Sequence, residues 1–247
     1  MNCVGLVIGE RIVGENGKFL DILTDKLGLV EVAQKGVKSL KNENRSALQM
    51  FAYSNLTIEK NKDNKHYSVK SSELIENFYG LREDIYGLAL ASYISQVITY
   101  AIGTHSTDSK IVLKLFLNIL YYLSNHQRDI LLLKSIFEIR FLSELGFSPN
   151  LLVCGRCELS IDDYIYFSIP QNTVICKDCA SLNDVQISKA TFKALQHIVF
   201  SDYNRLFNFK LSDFSINQLT SLSEKIILYI LNRNFSSLDY FKAIYKR

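Results

Sequence analysis

Two short cysteine-containing stretches divide this chain of 247 residues: LLVCGRCE at residues 151–158 and VICKDCA at residues 174–180. Each stretch holds one C-x2-C pair, and eighteen residues lie between the two pairs. This is the spacing of a four-cysteine zinc site, in which two tight turns each give two thiolates to one tetrahedral ion. A dithiol or disulfide pair and chance clustering are the alternatives. We predict a structural Zn²⁺ site formed by Cys154, Cys157, Cys176 and Cys179.

The chemistry of four thiolate ligands favours a structural role. Such a zinc ion keeps no open position for water, so it stabilises the fold and does not catalyse. Gly155 would let the first turn bring backbone N–H groups towards sulfur, and Arg156 and Lys177 can offset thiolate charge. The remaining cysteine, Cys3, is expected to be a small buried apolar residue.

Residues 2–80 have the pattern of a small β-barrel. Hydrophobic residues alternate in short runs that are separated by turn signals, such as Asn16 followed by Gly17. Gly5 and Gly9 would allow the first strand to bend sharply, as barrel closure requires. The predicted strands cover residues 3–13, 18–24, 29–35, 48–59 and 66–70. Five short strands, one of them bent, fit an OB-type barrel.

The hydrophobic period becomes helical after Gly80. Asp108 and Ser188 are predicted N-caps, and Gly146 is a predicted helix stop. The predicted helices cover residues 82–102, 108–124, 126–145, 188–199 and 215–232, and a basic tail follows them. The sequence therefore predicts an α+β protein, with an N-terminal five-stranded OB-type barrel over residues 1–80. An all-helical second domain covers residues 81–247 and contains the zinc-binding segment, residues 150–182.

Residues 85–107 need to be distinguished from a membrane span, because they contain no Asp, Glu, Lys or Arg. Polar residues recur there at helical spacing, namely Ser92, Gln96 and Thr99. A helix that faces lipid rarely carries so many polar side chains. We expect a buried helix of a soluble domain. Glu10 and Arg11 interrupt the first apolar run early, which argues against a signal peptide. Paired thiols reserved for a metal indicate a reducing compartment.

Basic residues concentrate in and around the predicted barrel, where residues 33–72 hold eight Lys or Arg against three Asp or Glu. Lysines suit sequence-independent contact with phosphates, and aromatic side chains can stack on bases. A solvated loop beside core aromatics is the alternative, and it is favoured for each aromatic taken singly. The basic candidates are Arg11, Lys35, Lys38, Lys41, Arg45, Lys60, Lys62 and Lys65, and the aromatic ones are Phe19, Phe51, Tyr53 and Tyr67.

Motifs of enzymes are weak in this sequence. The four histidines are scattered, with no H-E-x-x-H pattern and no H-x-E ahead of a C-x2-C pair. The glycines before Lys18 do not have Walker spacing followed by Ser or Thr. A metalloenzyme is therefore the least favoured class.

The order of short motifs resembles the RecO family, the bacterial recombination mediators of DNA repair. The matching stretches are VGENGKFL at 13–20, LGLV at 27–30, AQKGVK at 33–38, ALQMF at 47–51, ELIENF at 73–78, LALASY at 88–93, FEIRFLSELGFSP at 137–149 and CGRC at 154–157. The resemblance implies an N-terminal OB barrel, a helical domain and a zinc-binding insertion. The basic loop after Lys35 departs from the family pattern, because it contains Glu43 and lacks a proline.

The resemblance implies a non-enzymatic mediator that acts in the cytoplasm near the nucleoid. Such a protein binds single- and double-stranded DNA, partners RecR, docks the C-terminal tail of the single-stranded DNA-binding protein, helps to load RecA and anneals complementary strands. The DNA-binding residues that we predict are Arg11, Lys35, Lys38, Lys41 and Arg45. The alternative function is a zinc-containing scaffold that binds proteins and has no functional DNA binding.

Overall fold

The computed structural model describes residues 1–13, 17–35, 46–60, 67–102, 104–105, 108–161 and 164–245. The chain forms two compact units: the first is Met1–Gln127 with Phe235–Arg247, and the second is Arg128–Asn234. Each unit is described by itself below. The predicted domain boundary at residue 80 stays a prediction.

The first unit contains a closed five-stranded barrel, as predicted. Its strands are β1 (Asn2–Val13), β2 (Gly17–Thr24), β3 (Gly28–Lys35), β4 (Tyr53–Lys60) and β5 (Tyr67–Glu76). The order around the barrel is β1-β2-β3-β5-β4, and β4 closes it by pairing with β1. Only the short β3–β5 pairing is parallel among these described strands. This order is that of an OB-type barrel.

Glycines allow β1 to run across the barrel. The register between β1 and β2 shifts between Val7 and Gly9, so β1 carries a bulge at the predicted bend. A Cβ atom on Gly5 would lie 2.7 Å from Cγ2 of Ile22, so only glycine fits there. The barrel core is formed by Cys3, Val7, Leu20, Ile22, Val30, Val32, Leu48, Leu56 and Ile58. Cys3 is thus a buried apolar residue, as predicted.

Two strand boundaries differ from the prediction. β4 begins at Tyr53 instead of residue 48, because Phe51 has a left-handed backbone with φ of 63° that interrupts the extended run. The N–H of Phe51 donates instead to the Val7 carbonyl, 2.9 Å away at the bulge of β1. β5 continues to Glu76, six residues past the predicted end, since β4 offers pairing partners along its whole length.

Seven helices lie in the described part of the chain: α1 (Tyr79–Glu83), α2 (Ile85–Ile102), α3 (Ser109–Ser124), α4 (Ile130–Glu144), α5 (Lys189–Phe200), α6 (Asp213–Leu231) and α7 (Ser236–Ile244). The single helix predicted from residue 82 is divided at Asp84, whose carboxylate accepts from the N–H of Tyr86. Asp108 caps α3 and Ser188 caps α5, as predicted. Gly146 follows α4 with φ of 90°.

Helix α7 was not predicted, because its sequence reads as a basic tail. It returns to the first unit and contacts α2. There the Gln96 side chain accepts hydrogen bonds from the backbone N–H and the hydroxyl of Ser237. By length and composition alone α2 could cross a membrane, but 56% of its 18-residue window is buried inside the fold. This burial is what a core helix shows.

The second unit joins α4, α5 and α6 to a three-stranded sheet with the order β7-β6-β8. The strands are β6 (Ile165–Ser168), β7 (Thr173–Cys176) and β8 (Val185–Ile187), all antiparallel to their neighbours. Helix α4 begins at Ile130 and not near residue 126, because Asp129 accepts from the N–H groups of Leu131 and Leu132 as its N-cap.

Residues of the stretch FEIRFLSELGFSP at 137–149 join the helices of this unit. Glu138 is fully buried and binds the ammonium of Lys134 at 2.7 Å and the hydroxyl of Ser223 at 2.6 Å. The guanidinium of Arg140 donates to carbonyls at the C-terminal end of α5 and lies 4.7 Å from the ring centroid of Tyr203. These contacts fasten α4 to α5 and α6.

Candidate metal centre and nucleic-acid interface

The four predicted cysteines come together at one site. Their sulfur atoms all lie within 4.8 Å of one another, and Cys154 is buried while the other three are half-buried. The Cys157 and Cys176 sulfurs are 3.7 Å apart. Two sulfurs on one tetrahedral zinc ion are separated by about 3.8 Å, because each Zn–S bond is about 2.3 Å long. The residues therefore fit a tetrahedral thiolate site, and they are a possible metal site.

Local backbone geometry sets the first cysteine turn. The Cys154 N–H donates to the Leu159 carbonyl and the Glu158 N–H donates to the Cys154 carbonyl, each at 2.9 Å, which closes the turn. The second pair is held differently: Cys176 ends β7, and a 3-10 turn, Lys177–Cys179, carries the fourth cysteine. The Cys176 N–H points at the Cys154 sulfur, 3.4 Å away, and so links the two pairs.

Gly155 does not bring its own N–H group to a sulfur atom, as predicted, but allows close packing of the first turn. Its N–H donates to the Val174 carbonyl at 2.9 Å and not to sulfur. A Cβ atom on Gly155 would lie only 2.3 Å from Cγ2 of Thr173, so glycine allows the first turn to lie directly against β7. The N–H groups that face the Cys154 sulfur belong to Cys176, Cys157 and Arg156.

The thiols of the cluster differ in acidity. Burial raises the pKa of Cys154, but hydrogen bonds from the backbone N–H groups outweigh it and lower that pKa to about 6. The pKa of Cys179 is raised to about 12, first by hydrogen bonding to the Cys176 sulfur and then by that to Cys157. A cation bound to the four sulfur atoms would stabilise the thiolate form of each.

The two charged residues predicted to balance the thiolates have other contacts. Arg156 donates to both carboxylate oxygens of Asp184 and to the carbonyl of Cys179. The ammonium of Lys177 lies 4.7 Å from the ring centroid of Tyr164. Arg156 thus fixes the backbone of the second turn. Asp184 was missed by the sequence reasoning, because nothing in the local sequence marks it as the partner of a residue 28 positions earlier.

The predicted DNA-binding residues are only partly described. Arg11 lies exposed on β1, pairs with Glu31 and lies 5.7 Å from the ring centroid of Phe19. Lys35 ends β3, and its side chain is not described. Three further predicted positions, Lys38, Lys41 and Arg45, lie outside the described residues, as do Lys62 and Lys65. The predicted phosphate contacts stay a prediction.

The aromatic candidates divide into core and surface positions. Phe51 is buried and meets Phe116 of α3 edge-on, with ring centroids 6.3 Å apart, so it is a core residue. Phe19, Tyr53 and Tyr67 are half-buried. The ammonium of Lys60 lies 5.8 Å from the ring centroid of Tyr67. In this arrangement a cation, and not a base, covers that face of the Tyr67 ring.

Comparisons with known proteins cover nearly the whole chain. A family model described as Recombination protein O N terminal matches residues 1–78, and one described as Recombination protein O C terminal matches residues 82–239. A DNA repair protein RecO of Acetivibrio thermocellus is 32% identical over 243 residues, covering 97% of this chain and 95% of that protein. The DNA repair protein RecO of Caldicellulosiruptor saccharolyticus is 28% identical over 240 residues, which cover 97% of this chain and 97% of that protein. The DNA repair protein RecO of Clostridium acetobutylicum is 24% identical over 240 residues, which cover 97% of this chain and 96% of that protein.

Proposed function

Because this chain belongs to the RecO family, we propose that it is a non-enzymatic recombination mediator of DNA repair whose barrel binds DNA. The observation that carries this proposal is the match of both family models to a chain whose N-terminal part closes into a barrel of OB order. Residues 1–80 would form the DNA-binding domain, and residues 81–247 the helical domain with the zinc-binding segment 150–182.

The barrel would hold DNA mainly through its phosphates. Lysine and arginine side chains on its strands and loops supply mobile positive charges that do not read base edges. Such a grip releases counterions, so it is sequence-independent and weakens steeply with salt. This suits a mediator, which must let go of the strand after handing it on. The proposed contacts are Arg11, Lys35, Lys38, Lys41 and Arg45.

The proposed partners follow from the family. The protein would act with RecR, engage DNA coated by the single-stranded DNA-binding protein through that protein's C-terminal tail, help to load RecA and anneal complementary strands. We place this work in the cytoplasm at the nucleoid.

We propose zinc as the metal of the four-cysteine cluster. Cys154, Cys157, Cys176 and Cys179 are soft thiolate donors with the spacing that tetrahedral Zn²⁺ requires. When bound, the ion neutralises the clustered thiolates and fixes both turns. The chain's own groups contribute the backbone N–H hydrogen bonds to Cys154 and the Arg156 clamp.

Fluorescence anisotropy of labelled oligonucleotides, single- and double-stranded, tests the DNA-binding proposal across a salt series. We expect binding of both forms that falls steeply with salt. Reversing Lys35, Lys38, Lys41 and Arg45 to Glu should weaken binding. It should also flatten the salt slope by about 0.7 for each phosphate of a single strand that the variant no longer neutralises. A matched control reverses three exposed lysines and one exposed arginine of the second unit, namely Lys193, Lys210, Lys225 and Arg205.

The outcomes separate the two functions. An unchanged affinity and slope in the quadruple variant removes those four contacts from the proposal. An absence of binding by the wild type even at low salt favours the scaffold, in which the helices and the metal segment bind proteins and the barrel's basic charge is incidental.

A further inference from the structure

A pocket of about 430 Å³ lies within the first unit, beside the rim of the barrel where β1 and β2 approach their hairpin. Its volume is in the range of pockets that take small ligands. The residues that line it include Glu10, Lys18, Gln49, Phe51, Phe78 and Arg82. Four of the stretches that resemble the RecO family, 13–20, 47–51, 73–78 and 88–93, contribute to this lining. None of the roles proposed above uses it.

The backbone at this pocket is unusual. Phe51 and Phe78 both line it, and both have left-handed backbones, with φ of 63° and 46°. Bulky residues seldom adopt this conformation, and such outliers cluster at functional sites. Here each is held by specific hydrogen bonds: Phe51 N–H donates to Val7, and Phe78 N–H donates to the Glu76 carboxylate. The fold therefore accepts an unfavourable backbone conformation at two positions to shape this wall.

The chemistry of the lining is apolar below and polar at the mouth. Phe51, Phe78 and Leu81 are buried and form an apolar floor. At the mouth, the ammonium of Lys18 lies 2.9 Å from a Glu10 carboxylate oxygen. The exposed Arg82 uses one terminal nitrogen on the Asn77 amide oxygen at 2.7 Å, which leaves further guanidinium donors.

These groups match a nucleobase and its phosphate. A base is a flat apolar ring for the floor, and its edge offers both donors and acceptors. The amide of the half-buried Gln49 can pair with such an edge, and Arg82 can hold a phosphate. The free donors of the exposed Arg82 favour a ligand that carries an anionic group beside its ring, as a nucleotide does.

We propose that this pocket takes an unpaired nucleobase of single-stranded DNA, with the adjoining phosphate held by Arg82. The inference rests on the proposed DNA-binding function and adds a base-reading contact to it. Arg11 follows Glu10 directly on β1, so its side chain lies on the opposite face of that strand, and the base contact in the pocket is additional to the proposed Arg11 contact.

The test compares a labelled oligothymidylate with an oligonucleotide of equal length in which every base is replaced by an abasic sugar. We expect the full-length wild type to bind the oligothymidylate about tenfold more tightly, as one stacked base supplies. Gln49→Trp, which fills the pocket, should reduce this ratio to near one. Gln186→Trp, at an exposed glutamine of β8, is the matched control and should keep the full ratio.

A second variant guards against a folding defect. Gln49→Ala removes only the amide and should lower the ratio about threefold, and circular dichroism checks both variants. Equal binding of the two oligonucleotides by the wild type overturns this inference alone, and so does a full ratio in Gln49→Trp. Binding of neither oligonucleotide overturns the proposed DNA binding as well. Displacement of the oligothymidylate from the wild type by an acidic, aromatic-ended peptide, but not of the abasic oligonucleotide, reassigns the pocket to a protein ligand.

Discussion

The guanidinium of Arg156 forms a two-pronged ion pair with Asp184, with Nη1 2.7 Å from Oδ2 and Nη2 3.1 Å from Oδ1. Arg156 stands between the first two cysteines, and Asp184 lies in the loop after the fourth. The backbone N–H and the hydroxyl of Ser181 also donate to Asp184. The ion pair therefore joins the two cysteine turns without using a sulfur atom.

Replacing Arg156 should loosen the metal without removing a ligand. We expect Arg156→Ala to release zinc at least tenfold faster, which is the lower end for removal of a partner that orients metal ligands. Arg156→Lys should recover little, because an ammonium cannot bridge two carboxylate oxygens as a guanidinium does. A chromophoric chelator in excess follows the release. A rate unchanged in Arg156→Ala would show that the turns hold the ion unaided.

The purified protein should contain one zinc ion per chain, measured by elemental analysis. Cys154→Ser should lose it, because the structure brings this sulfur within 4.8 Å of the other three. Cys3→Ala is the matched control and should keep it, since Cys3 lies in the barrel core. Chelation should expose residues 150–182 to limited proteolysis, because metal binding and folding of such a segment are coupled. Retention of full zinc content by Cys154→Ser would contradict the site.

Gly155→Ala should destabilise the metal segment by about 1–3 kcal/mol, because its methyl group would overlap Thr173. Thr173→Ala removes the two nearest atoms, Cγ2 and Oγ1, and leaves Cβ at 3.0 Å, so the double variant should recover part of the stability. Urea unfolding of the zinc-bound protein measures both. No recovery in the double variant would mean that Gly155 is needed for its backbone and not for its close approach to β7.

Lys134→Ala should lower the free energy of unfolding by about 3–5 kcal/mol, since it removes the ammonium that pairs with the fully buried Glu138. Lys134→Met combined with Glu138→Leu should be less destabilised than Lys134→Ala, because the apolar pair needs no charge partner and the second carboxylate on Lys134, that of Glu224, is partly exposed to water. Equilibrium unfolding in urea is the measurement. Equal destabilisation of the single and the double variant would place the energy in packing and not in charge.

We expect Tyr203 to make the folding stability depend on pH in the alkaline range. Burial, and then the Glu144 carboxylate, raise the pKa of Tyr203 above its ordinary value, so folding favours the protonated phenol. This contribution is complete below pH about 10 and is lost as the pH rises towards the folded value. Tyr203→Phe should be about 1 kcal/mol less stable at neutral pH, and the gap should narrow above pH about 10. Urea unfolding at pH 7 and at about pH 10.5 measures this gap, and a gap that stays constant would contradict the raised pKa of Tyr203.

Much of the fold was predictable because its signals are local. The Asp108 and Ser188 caps and the Gly146 stop depend on backbone geometry over a few residues, and each was found where the sequence placed it. The five alternating strands were found too, with changed boundaries for β4 and β5. The missed elements lacked such signals. Helix α7 begins without a side-chain cap that the sequence could show. The left-handed backbone of Phe51 delays the start of β4 to Tyr53, and a phenylalanine does not predict that conformation.

The sequence by itself determined the membership of the RecO family, the five-stranded barrel and the identity of the four clustered cysteines, because spacing along the chain encodes all three. Only the tertiary structure decided which distant groups meet. The Arg156–Asp184 clamp, the Lys134–Glu138 pair with Ser223, and the pocket lined by Lys18, Gln49 and Arg82 join residues that no local rule pairs. Long-range packing selects such partners, since burial and charge are satisfied only once the whole chain has closed.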